Sequence, residues 1–383
     1  MSTTYISRFL LQVLHEKVQP GKVVLLLGAR RVGKTELLKV FLETLSTDDF
    51  LFLNGEDQAT EEVLATRTQA NYARLVHGKR YLVIDEAQKI TDIGVKLKFL
   101  VDTFPELSII ATGSSVFDIT QKMGEPLVGR QRQLRLFPLA QLELKASETL
   151  LDTRNKLEER LIFGGYPELE KYPNWLDKAD YLEAIVNDYL LRDILTFNNL
   201  RKADKILSIL RLIALQIGKE VSLDELSNSL KGISRNTIES YLDVLEKVFV
   251  VYRVTGFSRN LRKEVVKSNR WYFYDNGIRN AIIRNFSPLN LRIDKGELWE
   301  NYCMAERLKY NAYAQRRINM HFWRTYDKQE IDLIEEENAQ LSAYEFTWSA
   351  STKKKVPTAW ANTYPEATYS VINTENYLDF IGA

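Results

Sequence analysis

The sequence predicts an α/β protein built on a parallel sheet, and three observations carry that expectation. Short apolar runs that read as buried strands recur between helical stretches, at 23–27, 50–54, 81–86 and 108–112. The first run leads straight into Gly28-Ala29-Arg30-Arg31-Val32-Gly33-Lys34-Thr35, and Leu37, Leu38, Phe41 and Leu42 follow at helical spacing. The third run ends in two adjacent acids, Asp85 and Glu86.

The composition sets the frame for these elements. A chain of 383 residues, 45% hydrophobic and 27% charged, has room for two or three domains and the make-up of an ordinary globular protein. The apolar runs are too short to span a bilayer, so no membrane is expected as a partner. Ile6, Phe9, Leu10, Val13 and Leu14, with Arg8, Glu16 and Lys17 between them, read as an amphipathic helix and not as a signal peptide. The net charge of +1 provides no global field toward nucleic acid, so any such contact must be a local patch. Cys303 has no second cysteine to pair with and is expected as a small core residue in a cytoplasmic protein.

Each N-terminal element has a chemical reading. G-x-x-x-x-G-K-T after a strand and before a helix is the phosphate-binding P-loop. Gly28 and Gly33 let the backbone turn so that the N–H groups from Ala29, Arg30, Arg31 and Val32 through Thr35 can face phosphate oxygens. Lys34 is expected on the β- and γ-phosphates, Thr35 on Mg²⁺, and the following helix aims its positive end at the anion. The run 81–86 brings Asp85 to the magnesium end of the site and Glu86 to the attacking water. Gln88 has two readings of equal standing, a group that orients water or the solvated start of a helix. After the run at 108–112, Ser114 or Ser115 is a candidate polar sensor, or else a turn residue. Arg130 precedes a fifth strand at 133–137. It reads either as an arginine finger, in cis or from a neighbouring subunit, or as a structural partner for a carboxylate.

The order of motifs resembles the AAA-type ATPases of bacteria and archaea that carry an uncharacterised C-terminal domain. The resemblance rests on GARRVGKT, YLVIDEAQKI, IIATGSS and the Gly129-Arg130 pair. It continues through FGGYPE at 163–168, FYDNGIRNAI at 273–282, GELWENYC at 296–303 and WRTYDKQEIDLI at 323–334, nearly the whole chain. It implies a core sheet in the order 5-1-4-3-2 and a preference for ATP.

Four segments are expected: a P-loop core over 1–140, a helical link over 141–203, a winged helix over 204–285 and a small α/β domain over 286–383. The glycines of 163–168 make either a hinge or a packed corner. Ile206, Ile209, Leu210, Ile213 and Ile217 line one helix, Ser222 opens a second, and Ser234 opens a third with Ile238, Tyr241, Leu242, Leu245 and Val248 inward. Strands at 249–255 and 270–274 enclose a basic wing bearing Arg259, Arg262, Lys263, Lys267 and Arg270. The third helix shows Glu239, Asp243 and Glu246, which suit a protein surface better than phosphates. DNA contact would therefore be led by the wing. The last segment, a helix at 296–310, strands at 320–326, 330–335 and 342–347, a helix from Thr352 and a strand at 368–373, resembles the PD-(D/E)xK nuclease core. That resemblance implies a possible second metal site at Glu300, Asp332 and Glu345. The lysine of the pattern is replaced by Thr347, with Lys353, Lys354 and Lys355 nearby, so a degenerate site is expected.

The combined expectation is a Mg²⁺-dependent ATPase, with Lys34, Glu86 and Arg130 catalytic, that remodels DNA or protein. The alternatives are a slow nucleotide switch read by a protein partner, as an oligomer or not, and an ATP-gated nuclease.

Overall fold

A computed structural model describes residues 5–114, 127, 129–190, 203–230, 232–258 and 269–383. Ser115 and the wing residues Arg259, Arg262, Lys263 and Lys267 lie outside the described residues. The chain divides into two compact units, the first ending at Phe137 and the second beginning at Pro138.

In the first unit, helix α1 (Leu10–Lys17) buries Leu10, Val13 and Leu14, while Phe9 stays exposed just ahead of it. Strands β1 (Val23–Leu27), β2 (Phe50–Asn54), β3 (Tyr81–Asp85), β4 (Ser108–Gly113) and β5 (Gln131–Arg135) form one sheet in the order β2-β3-β4-β1-β5. Every neighbouring pair is parallel. This is the predicted order read from the other edge. Residues of β1 and β4 are buried throughout, as strands covered on both faces must be, whereas the edge strand β2 is half exposed. Helices α2 (Lys34–Glu43), α3 (Gln58–Ala65), α4 (Gln69–Leu75) and α5 (Ile93–Thr103) make the crossovers. Because all five strands run the same way, the loops after β1, β3 and β4 meet at one end of the sheet.

The second unit opens with α6 (Gln141–Leu144), α7 (Leu150–Asn155), α8 (Leu157–Phe163) and α9 (Trp175–Ala184). The order predicted from periodicity follows: α10 (Ala203–Leu215), a short β6 (Glu220–Val221), α11 (Leu223–Ser229), α12 (Arg235–Lys247), and the hairpin β7 (Val251–Gly256) and β8 (Asn269–Phe273). Ser222 and Ser234 cap α11 and α12 through their hydroxyls, and Ile238, Tyr241, Leu242 and Leu245 are buried. The remaining elements are α13 (Asn276–Ile283), α14 (Lys295–Tyr313), β9 (Asn319–Arg324), β10 (Glu330–Glu337), β11 (Gln340–Phe346), α15 (Thr358–Thr363), β12 (Thr368–Ile372) and α16 (Tyr377–Phe380). Cys303 is buried in α14.

Two features differ from the expectation. The hairpin and the C-terminal strands are one sheet, in the order β12-β11-β10-β9-β7-β8-β6. Parallel pairing of Thr255 with His321 and Gly256 with Phe322 carries it across the boundary expected at 285/286. The helix expected from Thr352 begins at Thr358, because Pro357 disfavours helical geometry at the residue before it.

The glycines at 164–165 are a packed corner. Gly164 has φ +73°, and a Cβ there would stand 2.1 Å from Asp275 Oδ1. The Gly165 N–H donates to Asp275 Oδ2 at 2.7 Å, while Oδ1 accepts from Ile278 N and so caps α13. Asn276 donates to the carbonyls of Leu161 and Leu298, and Asn301 donates to Asn276 Oδ1. The motifs at 163–168, 273–282 and 296–303 are therefore one buried polar knot, which accounts for their residue types without assigning them chemistry.

Candidate nucleotide-binding site

The loop at 28–33 leaves the carboxyl end of β1 with Arg31 at φ 65° and Gly33 at φ 96°, and α2 begins at Lys34. A Cβ on Gly28 would stand 2.2 Å from the Leu136 carbonyl oxygen, so only glycine fits there. Lys34, almost wholly buried, crosses the loop and donates through Nζ to the carbonyls of Gly28 at 2.9 Å and Ala29 at 3.0 Å. The motif thus encloses its own lysine.

The acids arrive from β3. Thr35 Oγ1 donates to Asp85 Oδ2 at 2.7 Å, which joins the first turn of α2 to the end of β3. Thr112, on β4, donates to Asp85 Oδ1 at 2.5 Å and accepts the Glu86 N–H at 2.8 Å. Glu86 is left-handed at φ 48°, and a Cβ on Gly55 would stand 2.4 Å from the Glu86 carbonyl oxygen. That turn projects Glu86 beyond the strand, where Gln88 Nε2 donates to its Oε2 at 2.5 Å and to Ser114 Oγ at 3.3 Å. The structure therefore brings Lys34, Thr35, Asp85, Glu86 and Ser114 together and places Gln88 with them. The Thr35 hydroxyl and the Asp85 carboxylate are hard oxygen donors side by side, a pair that suits Mg²⁺.

Arg130 is not part of this group, and the expectation that it acts in cis is corrected. Its carbonyl accepts the Val23 N–H at the amino end of β1, and its guanidinium pairs with Asp102 near the end of α5. The length of β1, about 13 Å at the usual rise, lies between that end and the P-loop. Within this chain the guanidinium has a carboxylate beside it, as the structural reading expects.

Two residues that hold the site were not recognised as such in the sequence. Thr112 lies two positions before the expected sensor. Arg8, read as one of the charges between the apolar positions of an amphipathic helix, is buried outside the helix and donates to the carbonyls of Val32 and Phe137. Its partners lie 24 and 129 residues away, so no local pattern announces it.

In the second unit, the expected metal ligands have other partners. Tyr272 Oη donates to Glu300 at 2.6 Å, the Phe346 N–H donates to Asp332 at 2.9 Å, and Lys354 reaches Glu345. Arg270 Nη1 lies 3.6 Å and Lys354 Nζ 4.0 Å from Asp332. Among the described residues no group of three His, Cys, Asp or Glu side chains is placed to hold a metal ion. Burial, with Asp332 close by, pushes Glu300 up to about 8 and Glu345 up to about 7. Thr347 sends its hydroxyl to the Ser349 carbonyl, whereas Lys354, on the irregular stretch before α15, provides the charge beside the acids.

Comparison with known proteins matches three segments of the chain. Residues 20–145 match the family model of the AAA domain. Residues 154–289 and 295–381 match two domains of unknown function, DUF8612 and DUF4143. Uncharacterized protein MJ1544 of Methanocaldococcus jannaschii is 23% identical over 85% of this chain and 75% of its own length. An uncharacterized protein of Haemophilus influenzae is 26% identical over 74% and 75%. Among solved structures, a signal transduction ATPase with numerous domains and a tetratricopeptide repeat sensor, PH0952 from Pyrococcus horikoshii, matches 82% of this chain at 10% identity and a TM-score of 0.31. The chain spans about half the length of such structures, 48% of this one. None of the described helices is long and apolar enough to cross a membrane. The AAA-domain match falls on residues 20–145, the segment that builds the loop, the strand-end acids and Thr112, and with that geometry it supports a nucleotide-binding site there.

Proposed function

We propose that the protein hydrolyses ATP with Mg²⁺ and couples the nucleotide state to a macromolecular partner. One observation carries this reading: the Thr35–Asp85–Thr112–Glu86 chain of hydrogen bonds, beside a P-loop whose lysine lies across it. The loop N–H groups and Lys34 would bind the β- and γ-phosphates, and Thr35 with Asp85 would hold Mg²⁺, which supplies charge opposite the phosphate oxygens. Glu86 orients the water for in-line attack on the γ-phosphorus and its carboxylate accepts the water's proton, while the bond from the γ-phosphorus to the bridging oxygen breaks and ADP leaves. Ser114, which accepts a hydrogen bond from Gln88, would act as the sensor of the nucleotide. Lys34→Ala should abolish tight MgATP binding in calorimetry, while Glu86→Gln should keep binding and lose phosphate release. Full-rate hydrolysis by Glu86→Gln would remove that residue from the mechanism.

A slow switch is the second reading, and a specific contact favours it. Glu86 already accepts a hydrogen bond from Gln88 on Oε2, which ties one carboxylate oxygen to a neighbouring side chain and leaves Oε1 for the water. For the partner, α12 shows Glu239 to solvent and Glu246 accepts from the Arg253 N–H, an acidic surface better suited to protein than to DNA. Turnover measured with and without duplex DNA separates the two: strong stimulation favours a DNA remodeller, and slow turnover indifferent to DNA favours the switch.

A further inference from the structure

The P-loop works only if its peptide planes face the right way. A glycine-rich loop is the backbone most prone to turn a plane over, since glycine accepts either sign of φ at little cost. Gly33 stands at φ 96°, so the peptide between Val32 and Gly33 is the plane that α2's first turn does not fix. Its carbonyl oxygen is the one that Arg8 holds, with Nη1 at 2.7 Å from Val32 O. In a trans peptide the C=O and N–H point opposite ways, so fixing this oxygen on Arg8 turns the Gly33 N–H away from Arg8 and back across the loop. The same guanidinium donates through Nη2 to Phe137 O at 2.6 Å. Phe137 ends the nucleotide unit, and the Leu136 carbonyl before it already touches the space beside Gly28. Arg8 is 4% exposed, so water does not compete for these bonds.

We propose that Arg8 is a positioning residue for nucleotide binding: it pins the Val32–Gly33 peptide so that the Gly33 N–H faces the phosphates, and it ties that plane to the last residue of the unit. This rests on the nucleotide reading of the loop. A guanidinium suits the task because its planar fork reaches two fixed carbonyls at once, which a point charge on a single nitrogen does less well.

The test compares full-length wild type with Arg8→Met, which keeps the apolar stem and removes every donor, and Arg8→Lys, which keeps the charge. The probe is MgADP in calorimetry, well below each protein's melting temperature, with ATP turnover in parallel. Arg8→Met should weaken MgADP about tenfold or more, the scale of a lost charged hydrogen bond, and raise KM for ATP while kcat at saturation changes little. Arg8→Lys should recover part of the affinity. A merely structural arginine would lower the melting temperature and leave the affinity of the folded protein unchanged. Equal MgADP affinity in wild type and folded Arg8→Met would overturn the proposal and leave the nucleotide reading standing. Failure of wild type itself to bind MgADP would overturn that reading instead. Should Arg8→Met not fold, Arg8→Lys and Arg8→Gln are judged by the same measurements, and wild-type affinity in both overturns the proposal.

Discussion

Thr112→Val removes one hydroxyl and changes little of the side chain's shape. Thr112 is fully buried, and its oxygen serves two partners: it donates to Asp85 Oδ1 at 2.5 Å and accepts from the Glu86 N–H at 2.8 Å. The first bond goes to a charged group, a class worth ~1.5–3 kcal/mol, and losing the second leaves a buried N–H unsatisfied at ~1–3 kcal/mol. Some of this returns if water enters or the turn at Glu86 shifts. A net loss of about 3 kcal/mol is therefore expected, which lowers the melting temperature by roughly 6–12 °C in a unit of this size. Function should fall as well, since Asp85 keeps its bond to Thr35 but loses its second anchor, and Glu86 loses the bond that sets its left-handed turn. Thermal melting by circular dichroism and phosphate release report the two effects, and Thr112→Ser, which restores the hydroxyl, should recover both. A Thr112→Val protein with wild-type melting and turnover would show that Asp85 and Glu86 are placed by something other than this hydroxyl.

Two further outcomes follow from the geometry. Glu300 is raised from 4.5 to about 8 by burial beside Asp332, so it binds its proton more tightly folded than unfolded. Its contribution to stability is full below about pH 4.5 and is lost as the pH rises through 8, each unit of that gap being worth ~1.4 kcal/mol. Melting measured from pH 5 to 8 should fall for wild type and fall less for Glu300→Gln, which carries no proton to lose; identical slopes would contradict the shift. Arg130→Ala removes a pair with Asp102 at the far end of β1 and should leave single-chain ATP turnover near wild type, so a loss of a hundredfold would return the arginine to the chemistry.

The parts of the site legible in the sequence are those that share one short segment. Strand, loop and helix at 23–43 are contiguous, and the period of their apolar residues follows from burial on both faces of a parallel sheet. The same holds for Asp85 and Glu86, which end an apolar run. What the sequence hid depends on contacts between distant segments. Arg8 looks like any charge between apolar residues until Val32 and Phe137 fold against it. Thr112 alternates with nothing; it is the last inward position of a strand that is buried throughout. Arg130 follows a glycine in the order the resemblance led one to expect, but order along the chain does not say which end of a strand a residue occupies. Lys354 was one of three adjacent candidates, and only the late start of α15 selects it.

The pairing of β7 with β9 carries a consequence for how this protein can be cut and how it can move. Residues 286–383 look like a self-sufficient domain in the sequence, yet β9 takes one of its two neighbours from residues 255–256. A fragment beginning after α13 would leave that flank of β9 bare, an open strand edge that invites pairing with another copy. Within the second unit the hairpin and the C-terminal strands are bonded into one plate. A force or ligand that turns α12 and its hairpin must turn the carboxylates of β10 and β11 with them, or else break the ladder at Gly256 and Phe322.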